Sequence, residues 1–119
     1  MEKKSQNKRA RGATYEQAVG YYLERQGYEA LTFNYRCPLG EVDIVAREGG
    51  YLVFCEVKYR KDDSKGSPLE AVGPRKQRTI YRCAQWYLNE KQLTDVACRF
   101  DVVGVEGSKI MLVKNAFEG

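Results

Sequence analysis

The chain has 119 residues, 43% of them hydrophobic and 30% charged, with a net charge of +4, which suits one domain around a single core. It contains no histidine, so Ser-His and Cys-His catalysis, histidine bases and histidine metal ligands are excluded. No apolar run approaches the ~18 residues of a membrane span and no start segment has a signal-peptide layout, so the expected location is cytoplasmic.

The charge excess sits at the start. Residues 1–12 carry Lys3, Lys4, Lys8, Arg9 and Arg11 against Glu2 alone, while the fifteen basic and fifteen acidic groups of the rest cancel. This segment is expected to be a basic flexible arm before a single domain over residues 13–119. Its Lys8, Arg9 and Arg11 either grip phosphates or belong to a solvated tail.

Thr14 and Gln17 make a capping box, and Tyr15, Ala18, Val19, Tyr22 and Leu23 follow helical spacing up to a stop at Gly27. Glu16 lies beside that stripe. It is either an ordinary first-turn glutamate favoured by the helix dipole or an acid able to lean over a neighbouring sheet. Tyr28 to Tyr35 is a first strand, and Cys37-Pro38-Leu39-Gly40 a turn. Strands near 41–47 and 51–59 follow, joined at Gly49-Gly50.

Residues 61–67, KDDSKGS, form a polar loop, and Ser67-Pro68-Leu69-Glu70 has the signature of a helix start. Pro74 opens a helix to about Lys91, whose buried stripe is Ile80, Cys83, Ala84, Tyr87 and Leu88. Arg75, Lys76, Arg78 and Arg82 decorate its start and flank. They are solvated helix charges or phosphate contacts. Basic groups at a helix N-terminus oppose the macrodipole, which favours a ligand role. Arg99 to Val105 is a central strand, and Lys109 to Val113 a last strand at an edge. The order α-β-β-β-α-β-β predicts an α/β fold, a mixed sheet with helices on its faces and a parallel crossover around the second helix. The four cysteines, Cys37, Cys55, Cys83 and Cys98, form no CxxC pair and are expected to be reduced core thiols.

The hairpin GEVDIVAREGGYLVFCEVKYR carries the chemistry. A turn at Gly49-Gly50 sets Glu48 opposite Tyr51, Asp43 opposite Glu56 and Glu41 opposite Lys58. Alternation then places Asp43, Glu56, Glu41 and Lys58 on one face with Val45 and Phe54, and Val42, Ile44, Ala46, Val53, Cys55 and Val57 on the other. Opposed like charges with β-carbons ~4.5–5.5 Å apart destabilise a sheet. Asp43 against Glu56 therefore calls for a cation between them or a protonated carboxyl. Such hard oxygen ligands, with the Val57 carbonyl as a further donor, suit Mg²⁺ or Mn²⁺. Lys58 beside them can orient or deprotonate a water, or hold charge. The reaction class this suggests is metal-assisted phosphodiester hydrolysis.

Asp43 and, thirteen positions on, Glu56-x-Lys58 resemble the PD-(D/E)XK nuclease signature, with Val42 where that signature has proline. From Gly12 to Val105 the chain resembles the YraN-like family. The resemblance rests on Gly12-xxx-Glu16, Tyr22-Leu23, Gly27-Tyr28, Asn34-Tyr35-Arg36, Gly40-Glu41-Val42-Asp43, the run from Val53 to Lys58, and Lys76-Gln77-Arg78. That family is similar to archaeal Holliday-junction resolvases of the restriction-endonuclease-like fold. The resemblance implies metal binding by Asp43 and Glu56, a supporting acid at Glu16, catalysis aided by Lys58, and DNA, including branched or junction DNA, as substrate for a homodimer. Glu41 is either a third metal-side acid or the salt-bridge partner of Lys58. The alternative function is a catalytically inactive module on the same fold that binds nucleic acid or a protein partner.

Overall fold

A computed structural model describes residues 16–60 and 72–118. Helix α1 occupies residues 16–25. It is followed by β1 (Glu29–Cys37), β2 (Gly40–Glu48), β3 (Tyr51–Arg60), helix α2 (Pro74–Glu90), β4 (Cys98–Glu106) and β5 (Lys109–Phe117). The strands form one sheet in the order β1-β2-β3-β4-β5. All neighbours are antiparallel except β3 and β4, which run parallel on either side of α2. The sheet is thus mixed, as the element order predicts. The arm 1–12, Thr14 and Tyr15, the loop 61–67 and the Ser67–Glu70 helix signature lie outside the described residues.

Local signals act where expected. Gly27, at φ +94°, ends α1. Its N–H donates to the Glu24 carbonyl and that of Tyr28 to the Leu23 carbonyl, so two end carbonyls of the helix are satisfied. Gly49 and Gly50, at φ +59° and +86°, supply the two left-handed residues that a tight hairpin turn needs.

Two cores flank the sheet. On one side Val19 and Leu23 of α1 pack on Ile44, Ala46, Val53, Cys55 and Val103. On the other, Ile80, Cys83, Ala84 and Tyr87 of α2 pack on Tyr35, Val45, Phe54, Phe100 and Val102. Phe54 is fully buried and meets the Tyr87 ring edge-on at 5.8 Å, a geometry that favours aromatic pairs. The four cysteines are free thiols, and the sulfurs of Cys37 and Cys83 touch at 3.5 Å.

The helix α2 comes close to β2 at Gly40. A β-carbon there would lie 2.6 Å from Cγ2 of Thr79 and 3.3 Å from Sγ of Cys83, and the backbone stands at φ +152°. Gly40→Ala is expected to cost about 2 kcal/mol through strain and overpacking. Urea titration reads this, and adding Thr79→Ala should return part of the loss. An unshifted midpoint would mean that α2 rests on β2 less tightly than these distances state.

Candidate active site

The hairpin register is the expected one from the turn to the middle of the strands. Glu48 pairs with Tyr51, Val45 with Phe54 and Ile44 with Cys55. Beyond that pair the β2–β3 ladder ends, and the sequence-based geometry needs three corrections. Val42 belongs to the α2-side core with Val45, whereas Ile44 and Ala46 face α1, so alternation breaks at Asp43. Strand β1 breaks with it. Asn34 stands at φ +56° between the Phe33–Ile44 and Tyr35–Val42 pairs, and so faces Asp43 across the two strands. Asparagine tolerates this left-handed conformation better than most residues.

The second correction follows from the first. Asp43 is not a ladder partner of Glu56. Freed from the ladder, its Oδ2 accepts the Val57 N–H at 2.7 Å. The carboxylate thereby takes the place a β2 carbonyl would fill, and satisfies a donor that the splayed strands leave open. Third, with Val42 turned toward α2, alternation turns Glu41 to the opposite side from Glu56. Glu41 pairs with Arg36 at 3.8 Å, an exposed contact, and not with Lys58.

The two acids still meet. Glu56 is 4% exposed and lies between Phe54 and Lys58 on the α2 side of β3. Burial raises its pKa most, and the charge of Asp43 and a hydrogen bond with it raise it further; Lys76 and Lys58 pull the other way, leaving it at about 7. Of the two ways to relieve the repulsion of this pair, a protonated carboxyl is the one that the raised pKa of Glu56 favours in the absence of a cation. The Lys58 ammonium stands 3.6 Å from Glu56 Oε2, and Lys76 reaches the same oxygen at 3.8 Å. Sequence reasoning set Lys76 among the phosphate contacts and missed this ion pair. Its one signal was a basic residue in a first turn that carries no acid.

Glu16 is held one strand further out, where its carboxylate accepts the Asn34 side-chain amide. It therefore stands beside the residue that faces Asp43. Among the described residues no three acidic or thiol groups converge as a metal cluster. Arg75 and Arg78 are exposed on the first turns of α2; Lys8, Arg9 and Arg11 lie outside the described residues.

The donor chemistry nonetheless fits a small hard cation. Two carboxylates meet where the strands part, and the burial and neighbouring charge that raise the pKa of Glu56 are what a bound cation would offset. The Val57 N–H points into this gap, and in an extended strand the carbonyl of the same residue faces the same neighbour, which adds a neutral oxygen. Mg²⁺ commonly takes one or two carboxylates and completes its shell with water and phosphate oxygens.

The profile of the uncharacterised protein family UPF0102 matches residues 15–105. A UPF0102 protein of Lachnoclostridium phytofermentans is 52% identical over 113 residues, spanning 94% of this chain and 96% of its own. A second, from Syntrophus aciditrophicus, is 50% identical over 107 residues, 87% of this chain and 84% of its own. A third, from Clostridium acetobutylicum, is 42% identical over 118 residues, 94% and 96% of the two chains.

Proposed function

This chain belongs to the uncharacterised protein family UPF0102, and we propose from its site that it is a Mg²⁺- or Mn²⁺-dependent endonuclease acting on DNA. The observation that carries the reading is the Asp43–Glu56 carboxyl pair in the gap between β2 and β3, with two lysine ammoniums on the buried acid. Buried carboxyls with raised pKa values mark sites where charge is expected to change.

Asp43 and Glu56 would hold the ion, with the Val57 carbonyl beside them. When bound, the cation neutralises charge on the phosphate and lowers the pKa of a coordinated water. The chain supplies the rest. Lys58, on the same face as Glu56 and two residues along, donates hydrogen bonds to the scissile phosphate and orients the attacking water. Lys76 exchanges its contact with Glu56 for a phosphate oxygen, and Arg75 and Arg78 continue that contact along the strand being cut. Glu16, through Asn34, steadies β1 opposite Asp43.

A second reading rests on the convergence of only two acids among the described residues. Here the chain is a binding module for nucleic acid or a protein partner, with an inactive nuclease-like site. The experiment that separates the two uses purified protein and Mn²⁺ on flapped and four-way branched DNA. Cutting is expected for the parent and lost in Glu56→Ala and Lys58→Ala, both with parental circular dichroism. Asp43→Ala should lose Mn²⁺ binding. Equal cutting by the parent and both variants would assign the activity to a contaminant. DNA affinity without cutting, unchanged in Asp43→Ala, would establish the binding module.

A further inference from the structure

Helix α2 presents a second feature on the side turned away from the sheet. Arg75, Arg78, Arg82, Gln85, Trp86 and Asn89 are all exposed. At 100° per residue they fall within an arc of about 100°, and at 1.5 Å per residue they run for about 21 Å. The helix has one acid, Glu90, and its carboxylate accepts the Tyr35 hydroxyl at 2.8 Å on the sheet side. The outer stripe thus holds three positive charges and no negative one. Among the described residues none of the three arginines has an ion-pair partner.

The far end of the stripe differs in kind. Trp86 is 41% exposed and Leu39, from the β1–β2 turn, is 46% exposed. Together with Arg82, Gln85 and Asn89 they line a shallow open groove. A half-exposed indole beside an arginine, flanked by two amides, matches what a nucleobase requires: a flat surface for stacking, a cation near the phosphate, and donors and acceptors for base edges. The near end begins at Arg75, next to Lys76 and hence next to Glu56.

We propose that the outer face of α2 is a track for single-stranded nucleic acid, with Arg75, Arg78 and Arg82 on successive phosphates and Trp86 as the stacking platform for an unpaired base. The charge complementarity of the stripe selects a polyanion, and the exposed indole selects one whose bases are accessible. A fully paired duplex buries its base faces and offers the indole nothing. The consequence for the proposed endonuclease is that its substrate class is DNA with an unpaired segment leading away from the cut. This consequence rests on the nuclease reading; the binding track does not.

Trp86 is the only tryptophan of the chain, so intrinsic fluorescence reports this position alone. The full chain is titrated in EDTA with oligothymidylate and, separately, with a blunt duplex of equal length. Single strands should quench the emission saturably, and the duplex should not. Trp86→Ala should weaken single-strand binding, read by anisotropy of a labelled oligomer, about tenfold, the loss of one stacked base. Trp86→Phe should keep most of the affinity. Arg82→Gln should reduce the slope of log affinity against log salt by about 0.7. Affinity unchanged in Trp86→Ala, or equal quenching by duplex, overturns the track and leaves the indole to a protein partner. Quenching without any Mn²⁺-dependent cutting would remove the nuclease reading and keep the track. Cutting of flapped DNA unaffected by Trp86→Ala would keep the nuclease reading and overturn the assignment of the track to its substrate.

Discussion

Arg99→Ala should lower the unfolding free energy by about 3–5 kcal/mol, the largest stability loss expected of any single change here. The reason is Asp101, a wholly buried carboxylate in the middle of β4. Arg99 forks onto it, Nε to Oδ1 at 3.0 Å and Nη2 to Oδ2 at 2.9 Å. The Tyr28 hydroxyl donates to Oδ2 at 2.6 Å, and the Asn115 N–H to Oδ1 at 2.9 Å. Arg99 also bonds Glu48 at 2.8 Å and lies 5.1 Å from the Tyr51 ring centre. Hydrogen bonding to Asp101 holds the guanidinium pKa above its ordinary value, and hydrogen bonding to Arg99 holds the Glu48 carboxyl below its own. Deleting the guanidinium leaves a buried charge short of its counter-ion. Asp101→Asn should cost less, about 1–3 kcal/mol, because Arg99 keeps Glu48. Arg99→Lys should not rescue, since one ammonium cannot span both oxygens. Urea midpoints at constant slope give the ranking. The opposite order, with Asp101→Asn the worse variant, would show that Arg99 is dispensable to the network.

The second large effect is a pH dependence with an inverted sign. Glu56 moves from an ordinary 4.5 to about 7 on folding. Between those values the folded state keeps a proton that the unfolded state has released. The contribution of Glu56 to stability is therefore fully present below about pH 4.5 and is lost as pH rises through about 7, the reverse of a salt-bridged carboxylate such as Glu48. The shift corresponds to at most about 3 kcal/mol over that window. In the metal-free protein Glu56→Gln should flatten the profile and be more stable than the parent at pH 8. Added Mg²⁺ should stabilise the parent at pH 8 as its concentration rises and release protons at pH 6, and should do neither in Glu56→Gln. A parental profile as flat as that of Glu56→Gln would place the proton elsewhere.

Much of this was legible in the chain. Gly49-Gly50 sets the hairpin register because two left-handed residues in succession tolerate little else, and the register carries Ile44 to Cys55 without error. The 3.6-residue stripe of α2 named Ile80, Cys83, Ala84 and Tyr87, all buried; Leu88 is partly so. Illegible were the breaks in alternation. Val42 reads as one more apolar residue in a regular strand, and only packing of α2 against Tyr35 and Phe54 draws it to that side. Asp101 was hidden for the same reason. Inside RFDVVGV its charge looks like a surface residue of an apolar strand, and its partners Tyr28 and Asn115 lie on other parts of the chain, 73 and 14 residues away. Strand β5 runs to Phe117, four residues beyond Val113, because Phe117 stacks on Phe100 at 5.3 Å.

By itself the sequence determined the elements, their order, the hairpin register and the residue types that can hold a hard cation, because glycine geometry, strand alternation and helical period are local properties. Tertiary structure decided where β2 leaves β3, that Glu41 turns away to Arg36, and that Lys76 comes down onto Glu56. Those outcomes depend on which side chains two helices can bury against the two faces of one sheet, and that competition is settled only when all the layers pack together.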